Sequence, residues 1–319
     1  DGGGIRATAD VELSLRRSRD NLERFFAQFY PRFDALIESV LPDYASQRGW
    51  PAGRLTSAKL LQRVRLFRRR RLRHFLNKIF RDCSAFVCSK DWRSFRVCDR
   101  ALVTPGLLTL LADPDASLQQ ADAHYLKQGN TCTLWSITVD GRQLVVKRYN
   151  IKSLLHRISR MLRRTRAATS WKNAHRLAMY GILGARPVAL VERRFGPLRG
   201  KAWLIMEYVS GDDISQLCKE PRPDHETGSR VVRGVTTLLA QLAQCHISHG
   251  DMKGTNFIQS PQGIAVIDLD AMREHLSDRS FQRWRRRDLQ RFMRNWQQCP
   301  DIDALFREAM QDNHRVTET

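Results

Sequence analysis

Asp251, Asn256 and Asp268 are the residues whose types and spacing could do chemistry. They lie in His249-Gly250-Asp251-Met252-Lys253-Gly254-Thr255-Asn256-Phe257 and at the end of the apolar run Ile264-Ala265-Val266-Ile267, which leads into Asp268-Leu269-Asp270. An Asp, four residues, an Asn, and a second Asp closing a short apolar strand is the arrangement that phosphoryl transfer from ATP needs. One carboxylate must stand beside the attacking hydroxyl, and an Asn and a second carboxylate must hold Mg²⁺ against the phosphates. Asp251 is therefore expected to orient the acceptor hydroxyl and accept its proton, and Asn256 and Asp268 to hold the metal. Asp270 is either an assisting ligand or a salt-bridging residue. Lys253 stands two residues after Asp251, where it could offset charge on the transferring group; its alternative is an exposed loop lysine. His249 reads as a residue that fixes the loop.

These residues need elements to position them. A helical pattern, Val231, Val235, Leu238, Leu239, Leu242 and Cys245, precedes the loop. Upstream, Leu144-Val145-Val146-Lys147 reads as a strand whose Lys147 would grip the α- and β-phosphates. Between the two, the apolar strand Trp203 to Val209 runs into Ser210-Gly211-Asp212-Asp213, as a hinge should. Residues 123–139 read as two strands turning at Gly129-Asn130-Thr131, with Asp140-Gly141 as a hairpin turn into the Lys147 strand. Backbone N–H groups at Gly129 and Asn130 could meet phosphate. A helix with a basic flank is expected over 151–166, and another over 170–180.

The words HGDMKGTNF, VVKRY and LKQGNTCTLW resemble those of the bacterial lipopolysaccharide kinase family, the Kdo and heptose kinases of the inner core, over about residues 118–300. The resemblance implies an α+β, two-lobed protein-kinase-like fold: a small antiparallel-sheet lobe at about 118–209 and a helical lobe at about 210–319. The kinase-like domain is expected over 101–319, after a helical basic segment over 1–100. ATP and Mg²⁺ are the implied cofactors, and a heptose or Kdo hydroxyl of the lipopolysaccharide core, or of lipid A-core, is the implied acceptor. By resemblance to kinase hinges, Met206 and the backbone of Glu207 and Val209 would meet adenine, and Asp213 ribose. The chain departs from the usual kinase pattern in one respect. No Asp or Glu occurs from Gly141 to Leu190, so the helix glutamate that orients the strand lysine is missing; Ser170, Asn173 and His175 stand in its place. Another acid, such as Asp268, or substrate phosphate must orient Lys147. Two rival readings remain: a kinase of protein or of a soluble small molecule, and a non-catalytic scaffold in envelope biogenesis.

The net charge of +21 over 319 residues draws the protein toward something anionic. An acidic membrane face or a phosphorylated glycolipid fits, and no apolar run approaches a membrane-spanning length, so any membrane association is expected to be peripheral; the family resemblance implies the cytoplasmic side of the bacterial inner membrane. No nucleic-acid-binding motif is present, and nucleic acid is not an expected partner. Seven cysteines, an odd number without C-x-x-C spacing, argue for reduced thiols and against a zinc site or a disulfide framework.

The N-terminal stretch carries Phe25, Phe26, Phe29, Tyr30, Phe33, Leu36, Ile37 and Val40 at helical spacing, which reads as core. A second helical run follows, with Arg68-Arg69-Arg70-Arg71-Leu72-Arg73-His74 inside it, either a lipid-docking face or a solvated one. Asp1-Gly2-Gly3-Gly4-Ile5-Arg6 lines up with Asp268-Leu269-Asp270-Ala271-Met272-Arg273, and Arg19 to Phe25 echoes Arg287 to Phe292. Residues 1 to about 45 are thus expected to be the tail of an upstream kinase-like unit, or else an unrelated basic amphipathic helix.

Overall fold

A two-residue hairpin turn organises the sheet. Asp140 and Gly141 both have positive φ, 48° and 74°, the pairing a two-residue primed turn requires. They fold β4 (Cys132–Val139) onto β5 (Arg142–Tyr149), as expected from their sequence. The computed structural model describes residues 13–51, 53–150, 163–219 and 224–318, without the side chains of 312–318. The helix expected over 151–166 falls mostly outside the described residues.

The chain divides into two units, at residues 74 and 75. In the second, a seven-stranded antiparallel sheet has the order β1-β2-β6-β7-β5-β4-β3. Its other strands are β1 (Phe86–Lys90), β2 (Ser94–Asp99), β3 (His124–Gln128), β6 (Pro187–Phe195) and β7 (Leu198–Glu207). β1 and β2 correct the expectation of a helical segment reaching residue 100. β2 is buried on both faces, so it shows no polar alternation, and pattern reading passed over it. Trp135, Ile137, Leu144, Trp203 and Ile205 of the sheet pack with Leu107, Leu110 and Leu111 of the short helix α4 (Pro105–Ala112).

The helix α5 (Arg166–Tyr180) starts at the N-cap Thr165, whose side chain accepts from Ala168 N–H, and stops at left-handed Gly181. Beyond the hinge come β8 (Asp212–Asp213), α6 (His225–Gln244), β9 (Ile247–Ser248), β10 (Phe257–Ser260), β11 (Gly263–Val266), β12 (Arg273–Glu274), α7 (Asp278–Met293) and α8 (Pro300–Glu318). α7 carries Phe292 and the turn after it Trp296, both fully buried; with Phe257 of β10 and Phe306 of α8 they form an aromatic stack beneath the loop after β9. Cys218 and Cys299 are joined as a disulfide, with Cα atoms 5.9 Å apart. This corrects the expectation of reduced thiols throughout. The partners lie 81 residues apart, so no local spacing announced them.

His175 gives this unit a pH dependence. It is buried in α5 against Trp171, Phe75 and Phe86, and burial pushes its pKa down to about 4. The unfolded chain binds a proton near pH 6.5 and the folded one does not, so stability is lost as pH falls from 6.5 toward 4. This group alone should make the protein about 2 kcal/mol less stable at pH 5 than at pH 8. In His175→Phe, urea melts at the two pH values should lie closer together by that amount. An unchanged gap would assign the effect elsewhere.

The first unit is helical: α1 (Leu15–Phe26), α2 (Leu36–Gln47) and the part of α3 (Ser57–Lys78) up to residue 74. Phe26, Ala27, Ile37, Leu41, Leu60 and Val64 form its core. The reading of the whole aromatic stripe as core is corrected. Phe25, Phe29, Tyr30, Phe33, Leu36 and Val40 are each at least 40% exposed. The apolar positions wrap more than one helix face, and the core takes only the side that meets α3. The basic run is also not uniformly outward. Arg68 is buried, with Nη2 2.8 Å from Asp34 Oδ1, and Arg71 donates to the Ala27 carbonyl.

Candidate active site

A cavity of about 490 Å³ opens between the sheet and the β10–β11 segment. Its walls include Lys147 of β5, Met206 of β7, the hinge residues Glu207, Tyr208, Val209, Gly211 and Asp213, and Asn256 and Asp268. Seven of the nine expected nucleotide and metal residues thus line one cleft: Lys147, Met206, Glu207, Val209, Asp213, Asn256 and Asp268. Gly211 permits the hinge to close on β10. Its φ is +132°, and a Cβ there would stand 1.9 Å from the Gln259 carbonyl oxygen. The Glu207 N–H donates to the Arg186 carbonyl, and the Tyr208 N–H to the Gln143 carbonyl, which fixes the backbone where β7 ends.

Gly129 and Asn130 depart from expectation. They form the β3–β4 turn but do not line the cavity, whereas Leu126, Lys127 and Cys132 beside them do. The Gly129 N–H donates to the Cys132 carbonyl and its carbonyl accepts from Asn150, so its hydrogen bonds close the turn. A two-strand turn must satisfy its own backbone before it can serve a ligand.

Lys147 finds its acid in Asp268. Its Nζ lies 2.6 Å from Asp268 Oδ1 with the lysine only 4% exposed. Burial opposes the ammonium, but the Asp268 carboxylate, hydrogen-bonded to it, outweighs that and holds the lysine above its ordinary pKa. Asp268 responds in the opposite sense. Burial works against its charge, and Lys147 nonetheless keeps its pKa below the usual carboxylate range. Asp268 also has φ of 60°, a left-handed backbone that costs a non-glycine residue energy and collects at functional sites.

The helix without acids, α5, engages the segment after Asp268 instead of Lys147. Asn173 donates to the carbonyls of Leu269 and Met272, at 2.8 and 2.9 Å. Arg166 Nε lies 2.6 Å from Asp270 Oδ2, which makes Asp270 a salt-bridge partner. Arg176 and Tyr180 both reach Glu274. Ser170 meets the Tyr149 hydroxyl at 2.9 Å, and burial pushes that phenol up to about 12, so it stays neutral. A charge-reversed helix thus performs the docking.

Asp251 sits at the rim, outside the cavity lining. Asn256 Nδ2 donates to its backbone carbonyl at 2.8 Å, which fixes the loop and turns the amide oxygen elsewhere. Lys253 Nζ is 3.3 Å from Asp251 Oδ2 and half exposed; Arg291 Nη2 is 2.7 Å from Oδ1, an ion pair without hydrogen-bond alignment. Arg291, from α7, was not foreseen from the sequence. His249 is structural, as read. Its Nδ1 accepts from Asp251 N–H, which puts the ring proton on Nε2, 2.9 Å from the Ile267 carbonyl. Gly250, with φ +83°, lies where a Cβ would be 2.9 Å from Ala271 O.

Asp288 is the second residue that sequence reading missed. Buried in α7, its carboxylate accepts the backbone N–H groups of His249 and Gly250 at 2.7 and 3.0 Å. Burial raises its pKa in spite of those bonds. The only signal was an acid within an arginine-rich helix. Asp288→Ala would leave two buried N–H groups unpaired, at about 1–3 kcal/mol each. The expected result is a lower melting temperature and reduced turnover with unchanged nucleotide affinity; turnover and melting like the parent would remove Asp288 from the loop's support.

Among the described residues no cluster of three or more His, Cys, Asp or Glu could cage a metal. The donors present, an amide oxygen and a carboxylate, suit Mg²⁺, which takes few protein ligands and completes its shell with water and phosphate. The model of the family described as lipopolysaccharide kinase (Kdo/WaaP) matches residues 117–317. That span takes in Lys147, the hinge, the Asp251 loop, Asp268 and Asp288, and with it the chain belongs to the lipopolysaccharide kinase (Kdo/WaaP) family.

Proposed function

We propose that this protein transfers the γ-phosphoryl group of ATP to a sugar hydroxyl, heptose or Kdo, of the lipopolysaccharide inner core. The observation that carries the reading is the ion pair between buried Lys147 and Asp268 inside a cleft edged by the hinge, because it meets the need for an acid that α5 lacks. In a two-lobed kinase arrangement, the cleft holds the nucleotide, with Met206, the carbonyl of Glu207 and the backbone of Val209 against adenine. Asp213 Oδ1 is engaged by Ser215, so only its second oxygen remains for ribose. Lys147 holds the α- and β-phosphates. Asn256 and Asp268 would hold Mg²⁺, which would supply charge neutralisation at the phosphates. Asp251 orients the acceptor hydroxyl and takes up its proton, and Lys253 and Arg291 place positive charge beside it.

The acceptor would be an anionic glycolipid, and the basic surface, together with the absence of a membrane-crossing helix among the described residues, fits peripheral work at the inner face of the inner membrane. The test is transfer of labelled γ-phosphate from ATP and Mg²⁺ to purified core glycolipid lacking phosphate. Label should enter the glycolipid and be absent with Asp251→Ala. Label in a protein or soluble sugar instead would shift the acceptor class. Binding of nucleotide and glycolipid with no transfer would favour the scaffold reading.

A further inference from the structure

The exposed aromatic strip of the first unit repeats a face that the second unit shows occupied. With a constant shift of 267 positions, Leu22-Glu23-Arg24-Phe25 lies on Leu289-Gln290-Arg291-Phe292, and Phe29 on Trp296. Two positions of slip later, Phe33-Asp34-Ala35-Leu36-Ile37 matches Ile302-Asp303-Ala304-Leu305-Phe306. The local structure repeats as well: α1, a 3₁₀ turn at Pro31–Phe33 and α2 follow the order of α7, a 3₁₀ turn at Arg294–Trp296 and α8. Phe25 and Phe29 meet edge to face at 5.2 Å, as Phe292 and Trp296 do at 5.5 Å.

Burial is where the two copies part. Phe292 and Trp296 are fully buried, and Phe292 packs at 5.8 Å on Phe257, the residue that follows the catalytic loop. Phe25 and Phe29 are 53% and 42% exposed, while the opposite side of α1 is closed by Leu60 and Val64. An open apolar strip of this kind marks an interaction surface. Its counterpart shows what such a strip is shaped to cover.

We propose that the α1–α2 face is the docking seat for the loop-and-strand segment of another kinase-like lobe, one that lacks its own α7–α8 pair. The loop of this chain's own kinase unit is already covered by α7, so it does not supply the occupant. The partner is recognised by an aromatic residue after an H-x-D-x₄-N loop, packed on Phe25 and Phe29. Arg24, at the position of Arg291, would stand beside its Asp, as Arg291 stands beside Asp251. This rests on the family assignment and not on which hydroxyl is phosphorylated.

The test places a benzoylphenylalanine photo-crosslinker at Phe25 and, separately, at Phe29 in the protein as its natural gene encodes it, in the cells that make it. Exposed Leu108 of the kinase unit, 51% exposed, serves as background. Irradiation should join the Phe25 and Phe29 probes to a peptide that carries, or directly follows, an H-x-D-x₄-N loop distinct from residues 249–257, well above the Leu108 yield. Crosslinks confined to lipid, to unrelated proteins or to this chain's own residues 13–319, or a yield no greater than at Leu108, would overturn the proposal.

Discussion

Asp251→Ala is expected to lower the turnover of phosphoryl transfer by about 10²–10⁴-fold, the range of a positioned general base. ATP affinity should change little. Asp251 does not line the cavity that holds Lys147 and Asp268, where the nucleotide is proposed to bind, and the loop does not depend on its side chain for shape. Asn256 donates to the Asp251 backbone carbonyl at 2.8 Å and only weakly approaches the carboxylate, at 3.4 Å, so Asn256 should keep its place in the variant. Removing the carboxylate leaves Lys253 and Arg291 without their partner, but both are about half exposed and water can solvate them. Single-turnover kinetics and calorimetric titration with ATP separate the two quantities. Loss of turnover matched by an equal loss of ATP binding would place Asp251 in the nucleotide site instead of the acceptor site.

The Lys147 and Asp268 variants should both lose turnover by at least about 10²-fold, yet differ in stability. Asp268→Ala leaves an ammonium that is 4% exposed with no carboxylate, and breaking a buried pair in this way costs about 3–5 kcal/mol. Lys147→Met leaves a carboxylate that is 28% exposed, which water can reach, and replaces a buried charge by an apolar chain of similar length. The lysine variant should therefore be the more stable of the two, and the double variant should cost less than the sum. Urea denaturation of the three proteins checks this; equal losses, or additivity, would mean that the pair is not the unit it is taken to be. The pH dependence has a fixed sign. Asp268 has a folded pKa below its unfolded value, so its contribution is present above about pH 4 and is lost as pH falls through the folded value. His175 acts in the same direction but higher, between pH 6.5 and 4, so the two are separable.

The order of the Lys147 strand, the strand that ends at Glu207, the Asp251 loop and Asp268 was legible in the residues because each segment announces itself locally. Apolar strands, Asp140-Gly141 and the Gly211 hinge are short-range signals, and the Asp251 to Asn256 spacing lies within a single loop. The family's words ran along the same segments, and the fold's mixture of helix and antiparallel sheet followed from them. What the residues alone determined about this protein is therefore its chemistry at the level of reaction class.

Tertiary structure decided the rest, for reasons of distance along the chain. Lys147 meets its acid 121 residues away, and Asp288 reaches back 39 residues to hold the loop backbone. Neither pairing has a local pattern, since an acid in an arginine-rich helix looks solvated until its neighbours are known. The missing glutamate of α5 looked like a defect in the sequence; in three dimensions, Asn173 and Arg166 bind the Asp268 segment directly. Periodicity placed the aromatics of residues 25–40 on helices, but which side of a helix is covered depends on what packs there. Only the assembled chain shows Phe26 inside and Phe25 and Phe29 open.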